Sequence, residues 1–256
     1  MQANKIPVIL LPGGVMPAAL AYADLVDALG ADVDARPKEL EIYAGDEPPE
    51  GWGLHTEVGG ISRLADEAGF ERFHLVGYSG GGASSLAFCA THPDRLLSLA
   101  LSEPAWAGNE GQSDKERSRW QEFDRIGRLP PQEMMPAFVR AQIREGVDAP
   151  APPQGDPPPW MRTRPAGLKA FIEEFNGGTL DMERLRTFDR PVLFTLGGKS
   201  HPDYYAEIAK RLDGVFPDFT LDVFEERHHF DPPHRVEPER YAKSLRALWD
   251  RAAAER

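Results

Sequence analysis

Residues 75 to 84 read LVGYSGGGAS: an apolar run, a serine between two glycines, then a series of small residues. The apolar run suits a strand buried on both faces of a parallel sheet. The small residues from Gly80 to Thr91 suit a helix packed closely on that strand. G-x-S-x-G at such a junction is the pattern of a nucleophile elbow, in which the chain doubles back so sharply that a Cβ beside the serine would clash. The turn lifts the Ser79 hydroxyl above the sheet. The N–H groups that open the next helix then face any negative charge that develops there. A passive glycine-rich turn also matches the bare pattern, so the weight rests on the strand before it and the helix after it.

That junction belongs to a longer rhythm. Residues 6 to 11 (IPVILL), 40 to 44 (LEIYA), 72 to 77 (RFHLVG), 96 to 101 (LLSLAL), 191 to 196 (PVLFTL) and 219 to 224 (FTLDVF) read as strands. Helical spacing is predicted over 17 to 29, 54 to 68, 80 to 91, 204 to 212 and 238 to 251. Strand and helix alternate, which predicts an α/β fold with a mainly parallel sheet flanked by helices. Residues 105 to 186 break the rhythm. They hold amphipathic helical pieces and no strand-like run, and a proline-rich stretch at 149 to 160 reads as an irregular loop. The predicted organisation is one α/β core, residues 1–104 and 187–256, with a helical insertion at 105–186.

A serine hydroxyl is a poor nucleophile without a base, and the base needs an orienting carboxylate. Behind an elbow of this kind the chain order is serine, acid, histidine. His228 and His229 follow the last predicted strand, where the base should fall. Glu103, after the fourth strand, and Asp203, after the fifth, both satisfy the order. His55 with Glu57 is too small a set for a metal site, and His234 with Glu237 and Glu239 reads as a solvated helix start. Trp106, Trp160 and Phe175 read as core aromatics that would otherwise line a pocket.

Composition removes several other functions. The 256 residues carry a net charge of −12 without a Lys/Arg cluster, so neither nucleic acid nor an anionic membrane is expected as a partner. One cysteine, Cys89, rules out an intramolecular disulfide framework and fits a reducing cytoplasm. No segment reads as a signal peptide or a membrane span.

Leu11-Pro12-Gly13-Gly14 after the first strand, the elbow at Ser79, His92-Pro93-Asp94-Arg95 and the His229 loop together resemble the α/β-hydrolase superfamily, in its serine-nucleophile branch with a helical cap. The resemblance covers about residues 5 to 104 and 187 to 250. It implies that the usual N-terminal hairpin is missing, which shortens the sheet to about six strands, and that residues 105–186 form the cap. It places His229, followed by Phe230, where the family has its base. It favours Glu103 as the acid, by register from His92-Pro93-Asp94-Arg95, over Asp203. The family's oxyanion-loop histidine is replaced by Pro12, and the oxyanion donors are expected to be the N–H groups of Gly80 and of Gly14 or Val15.

The implied activity is hydrolysis of a small carboxylic ester or related acyl compound through an acyl-enzyme, with no metal or other cofactor. A small-molecule substrate is the expected partner, and a homodimer is left open. Carbon–carbon bond hydrolysis and a proline-iminopeptidase-like activity are the alternatives within the enzyme class. A non-catalytic small-molecule binding protein on the same fold is the alternative outside it.

Overall fold

The computed structural model describes residues 5–150 and 155–254, so part of the proline-rich stretch, residues 151–154, lies outside the described residues. Six parallel strands form one sheet in the order β2-β1-β3-β4-β5-β6. They are β1 (Ile6–Leu11), β2 (Val33–Pro37), β3 (Phe73–Tyr78), β4 (Leu96–Ser102), β5 (Val192–Gly197) and β6 (Phe219–Phe224). The helices are α1 (Ala18–Ala21), α2 (Ala23–Leu29), α3 (Leu54–Glu67), α4 (Gly80–Thr91), α5 (Asp114–Ile126), α6 (Pro131–Ala141), α7 (Arg164–Gly177), α8 (Met182–Arg186), α9 (Glu207–Asp213), α10 (Pro233–Val236) and α11 (Pro238–Ala254).

The central strands are apolar on both sides because both faces are covered. Ile9, Leu11, Phe73, Leu75, Leu99, Leu101, Val192 and Phe194 point into the core beneath α3 and α4. Their neighbours Val8, Leu10, Val76, Ala100 and Leu193 point into a second core with α2 and α11. Each of the larger side chains contributes about 1.5–3 kcal/mol by leaving water.

Two sequence expectations fail at the first edge of the sheet. The second strand is Val33–Pro37, not residues 40 to 44. Its sequence, VDARP, buries only Val33, because β2 is an edge strand: Ala35 is partly covered by the second core, Asp34 and Arg36 pair with each other, and Pro37 is exposed. An apolar run does not mark such a strand. The apolar residues of LEIYA are buried for another reason: Leu40 and Ile42, each 1% exposed, plug the core from a short 3₁₀ turn. The helix expected over 17 to 29 is split into α1 and α2 at Tyr22, whose hydroxyl donates to the Leu11 carbonyl at 2.7 Å. Among the described residues no strand precedes β1.

Between β4 and β5 the regular elements of the described residues are helices, joined by loops. Helix α7 carries Leu168, Phe171, Ile172 and Phe175 at helical spacing, and this stripe faces inward. Helix α8 packs on α4. Arg211 of α9 ties the start of the insertion down. It donates to both carboxylate oxygens of Glu116 at 2.8 and 3.1 Å and to the carbonyls of Ala107, Gly108 and Glu110.

Candidate active site

The elbow has the conformation that its glycines allow. Ser79 sits at φ 52° and ψ −115°, left-handed backbone that a non-glycine residue adopts at a cost of about 1–3 kcal/mol. The surroundings force it. A Cβ on Gly77 would lie 2.4 Å from the Gly81 carbonyl oxygen, and one on Gly81 would lie 2.5 Å from the carbonyl oxygens of Leu11 and Pro12. The Gly81 N–H is bonded to the Pro12 carbonyl at 2.9 Å, which ties the elbow to the loop after β1. The N–H of Gly80 stands in the first turn of α4, where a helix offers it no carbonyl. The Gly14 backbone nitrogen comes within 3.6 Å of where a Cβ on Gly80 would stand. Gly14 and Gly80 therefore lie together beside Ser79.

His229 arrives on the loop after β6. Its Nε2 is 3.0 Å from Ser79 Oγ, and its Nδ1 is 2.9 Å from a carboxylate oxygen of Glu103. The other Glu103 oxygen accepts the Gly197 N–H at 2.8 Å. Ser79, Glu103 and His229 are buried to 6%, 5% and 1% exposure. Glu103 is the second non-glycine residue with positive φ, at 44°, so the two strained positions of the described chain are two corners of one hydrogen-bonded chain. Ring contacts hold the imidazole. Tyr205 stacks on it at 4.5 Å between centroids with 9° between planes, and the Tyr78 hydroxyl donates to the His229 carbonyl.

Asp203 is not part of this group. Its carboxylate is 43% exposed and pairs with Lys115 at 3.0 Å, and that hydrogen bond holds the carboxyl below its ordinary pKa. The Nδ1 position it would need is filled by Glu103, which turns off the end of β4 directly beside β5. His228 is held to its own loop, 3.0 Å from Asp231.

A cavity of about 30 Å³ lies over the serine, room for about two water-sized groups. Gly14, Ser79 and Gly80 line one side, and Trp120, Phe123, Phe138, Leu168, Phe171 and Phe175 line the other. Gln142 and Tyr205 lie at its edge, with the Tyr205 hydroxyl donating to the Gln142 side-chain oxygen. Of the three aromatics singled out in the sequence, Phe175 lines the cavity. Trp106, 1% exposed, backs it by stacking on Phe175 at 5.2 Å, while Trp160 approaches Arg164 at 5.5 Å. Sequence reasoning missed Tyr205 and Gln142. The only signal for either is an aromatic pair, Tyr204-Tyr205, directly after Asp203 at the start of the predicted helix.

The polar groups of this end have local duties. Glu57 accepts the N–H groups of Glu41 and Ile42 and the Trp52 indole, each at 2.9 Å. Among the described residues no cluster of three or more His, Cys, Asp or Glu is arranged to hold a metal ion, and no helix is long and apolar enough to cross a membrane.

His234 departs from its expected place at a solvated helix start. It is 1% exposed, with ring centroids 4.7 Å from Tyr22 and 4.9 Å from Tyr78, and neither ring nitrogen has a hydrogen-bond partner. Burial first, then the charges of Arg235 and His229, push its pKa down to about 3. The unfolded chain takes up this proton near pH 6.5 and the folded chain does not. His234 therefore leaves stability intact above pH 6.5 and costs about 2 kcal/mol by pH 5. His234→Phe is expected to flatten the loss of urea resistance between pH 7 and pH 5. An unchanged slope would show that the acid sensitivity lies elsewhere.

A family model described as the alpha/beta hydrolase fold matches residues 60–231, more than half of the chain. The chain belongs to the α/β hydrolase fold family. A fluoroacetate dehalogenase from a Burkholderia species is 31% identical over 101 residues, which cover 37% of this chain and 33% of that protein. The chain thus matches about a third of the length of that relative. Among solved structures, a thermophilic esterase from Thermogutta terrifontis superposes with a TM-score of 0.69 at 17% identity, over 98% of this chain and 91% of that one. A meta-cleavage product hydrolase from Pseudomonas fluorescens superposes with a TM-score of 0.65 at 16% identity, over 98% and 92%. At these identities the likeness concerns the α/β-hydrolase fold.

Proposed function

We propose that this α/β hydrolase is a serine hydrolase that cleaves small acyl esters through an acyl-enzyme. The observation that carries the reading is the hydrogen-bonded chain Ser79–His229–Glu103, with spacings of 3.0 and 2.9 Å in a water-poor site. Ser79 Oγ attacks the ester carbonyl and His229 Nε2 takes its proton. Glu103 holds the imidazole in the tautomer that accepts at Nε2 and stabilises the imidazolium that forms. The N–H groups of Gly80 and Gly14 receive the oxyanion; loss of one such donor costs about 3 kcal/mol of barrier. His229 returns the proton to the leaving alcohol, and water then releases the acyl group by the same steps in reverse order.

The segment 105–186 serves as a cap in this reading, since α5, α6 and α7 supply the apolar wall facing Ser79. The aromatic cavity of about 30 Å³ favours a short, uncharged acyl group. A serine at position 79 separates the chain from hydrolytic dehalogenation, which relies on a carboxylate nucleophile.

The test is a series of p-nitrophenyl esters from acetate to octanoate, with mass mapping of a fluorophosphonate adduct. The adduct is expected on Ser79, and kcat/KM for acetate or butyrate is expected to exceed that for octanoate by about ten-fold or more, since the longer chain must open the aromatic wall. No turnover on any ester and no adduct would remove the esterase reading.

A further inference from the structure

Two adjacent glycines, Gly13 and Gly14, follow Pro12 in the loop that carries the second oxyanion donor. Neither has a side chain to hold it, and glycine visits backbone regions closed to other residues. The family's histidine, which orders this loop elsewhere, is replaced by Pro12. Something else must keep the Gly14 N–H directed at the site.

We propose that Tyr43 is the positioning residue for this loop and that α7 holds Tyr43 in place, so the oxyanion site is complete only when α7 is seated. The proposal rests on the serine-hydrolase reading. The Tyr43 hydroxyl donates to the Gly14 carbonyl at 2.6 Å. Pinning that carbonyl fixes the peptide plane between Gly14 and Val15 and restrains the Gly14 backbone, whose own N–H lies one peptide earlier. Leu168 of α7 packs against the same residue: a Cβ on Gly14 would lie 3.0 Å from its Cδ2 and 3.4 Å from the Tyr43 hydroxyl.

Tyr43 in turn fits a slot built by α7. A Cβ on Gly167 would come 2.2 Å from Tyr43 Cε1, so only glycine lets the helix approach the ring this closely. The Arg164 guanidinium lies 3.7 Å from the ring centroid. Arg164 is 2% exposed, its Nε and Nη1 have no hydrogen-bond partner, and its Nη2 is 3.8 Å from the Glu39 carboxylate. The π face of Tyr43 and the Glu39 carboxylate are therefore the favourable contacts of its buried charge. A desolvated cation over a phenol ring binds it firmly and polarises its O–H, which strengthens the bond to Gly14.

The arrangement couples two tasks. Arg164, Leu168, Phe171 and Phe175 share one face of α7, spaced four, three and four residues apart. The lower part of that face walls the acyl cavity and the upper part clamps Tyr43. An acyl group that displaces α7 would loosen the oxyanion loop; one that fits beneath it leaves the loop in place.

Tyr43→Phe keeps the ring under Arg164 and removes only the hydroxyl. On p-nitrophenyl acetate, kcat is expected to fall about 10–100-fold, the scale of a misplaced catalytic donor, with KM within about two-fold. A trifluoromethyl ketone adds Ser79 Oγ to its carbonyl, passes the serine proton to His229 and leaves an oxyanion. Its inhibition constant is expected to rise by the same factor as kcat falls. The melting temperature is expected to stay within about 2 °C, so a folding defect would not account for the loss. Gly167→Ala, which pushes the ring aside, is expected to act in the same direction. Unchanged kcat in Tyr43→Phe, or a loss carried by KM alone, would overturn the positioning role while fluorophosphonate labelling of Ser79 stood. Absence of labelling in the unmodified protein would remove the hydrolase reading itself, and the positioning role with it.

Discussion

Glu103→Gln is expected to lower kcat on p-nitrophenyl acetate by about 10³–10⁴-fold, while Asp203→Asn leaves it within about two-fold. The glutamine amide keeps the volume of the carboxylate and loses its charge. His229 Nδ1–H then faces a neutral group, and the imidazolium formed when Ser79 gives up its proton has no counter-charge in a site where all three residues are under 7% exposed. The amide would also turn a donor toward either the ring nitrogen or the Gly197 N–H, both of which Glu103 now satisfies as an acceptor. Asp203 pairs with Lys115 at the surface, where an exposed ion pair is worth under about 1 kcal/mol. Ser79→Ala is the reference variant and should reduce turnover at least as far as Glu103→Gln. Equal losses in the two carboxylate variants, or a larger one in Asp203→Asn, would show that the loop after β5 rearranges to supply the acid during catalysis.

Arg211→Ala is expected to destabilise the fold by about 3–5 kcal/mol, a drop in melting temperature of roughly 10 °C for a chain of this size. Glu116 is 1% exposed and has Arg211 as its ion-pair partner, so the substitution strands a buried carboxylate. It also leaves the carbonyls of Ala107, Gly108 and Glu110 without the guanidinium that draws them together. Arg128→Ala serves as the control: Arg128 is 75% exposed, pairs with Asp124, and should cost under about 1 kcal/mol. Thermal and urea unfolding of the two variants would separate a buried clasp from a surface pair. Because the clasp anchors the start of the segment that walls the cavity, Arg211→Ala should also relax selection against long acyl chains. Equal stability losses in the two variants would mean that the Glu116 site is open to water.

The elbow was legible in the sequence because its requirement is local. Gly77 and Gly81 must lack a Cβ at the turn whatever the rest of the chain does, and the strand and small-residue helix on either side are written within 20 residues. The parallel core was legible for a related reason: strands buried on both faces show as continuous apolar runs, as in β1, or nearly continuous ones, as in β4. Strand β2 was not, because an edge strand needs backbone partners and little apolar surface. VDARP carries the pairing, while the neighbouring LEIYA fills the core without joining the sheet.

What only the tertiary structure decided is which polar groups meet. Glu103 and Asp203 both stand in the right chain order, and order does not say which carboxylate reaches the histidine. The pairing of β4 with β5 and the turn at Glu103 bring one to Nδ1, while the turn after β5 sends the other to the surface. His234 looked solvated among charged neighbours, yet the packing of α10 over Tyr22 and Tyr78 sealed it from water. Tyr43 and Arg164 gave no local sign at all, since they are 121 positions apart and meet only because α7 packs on the 3₁₀ turn after β2. Local backbone sterics are encoded residue by residue and can be read from the chain. Long-range electrostatic partnership depends on where distant segments come to rest, and only their packing settles it.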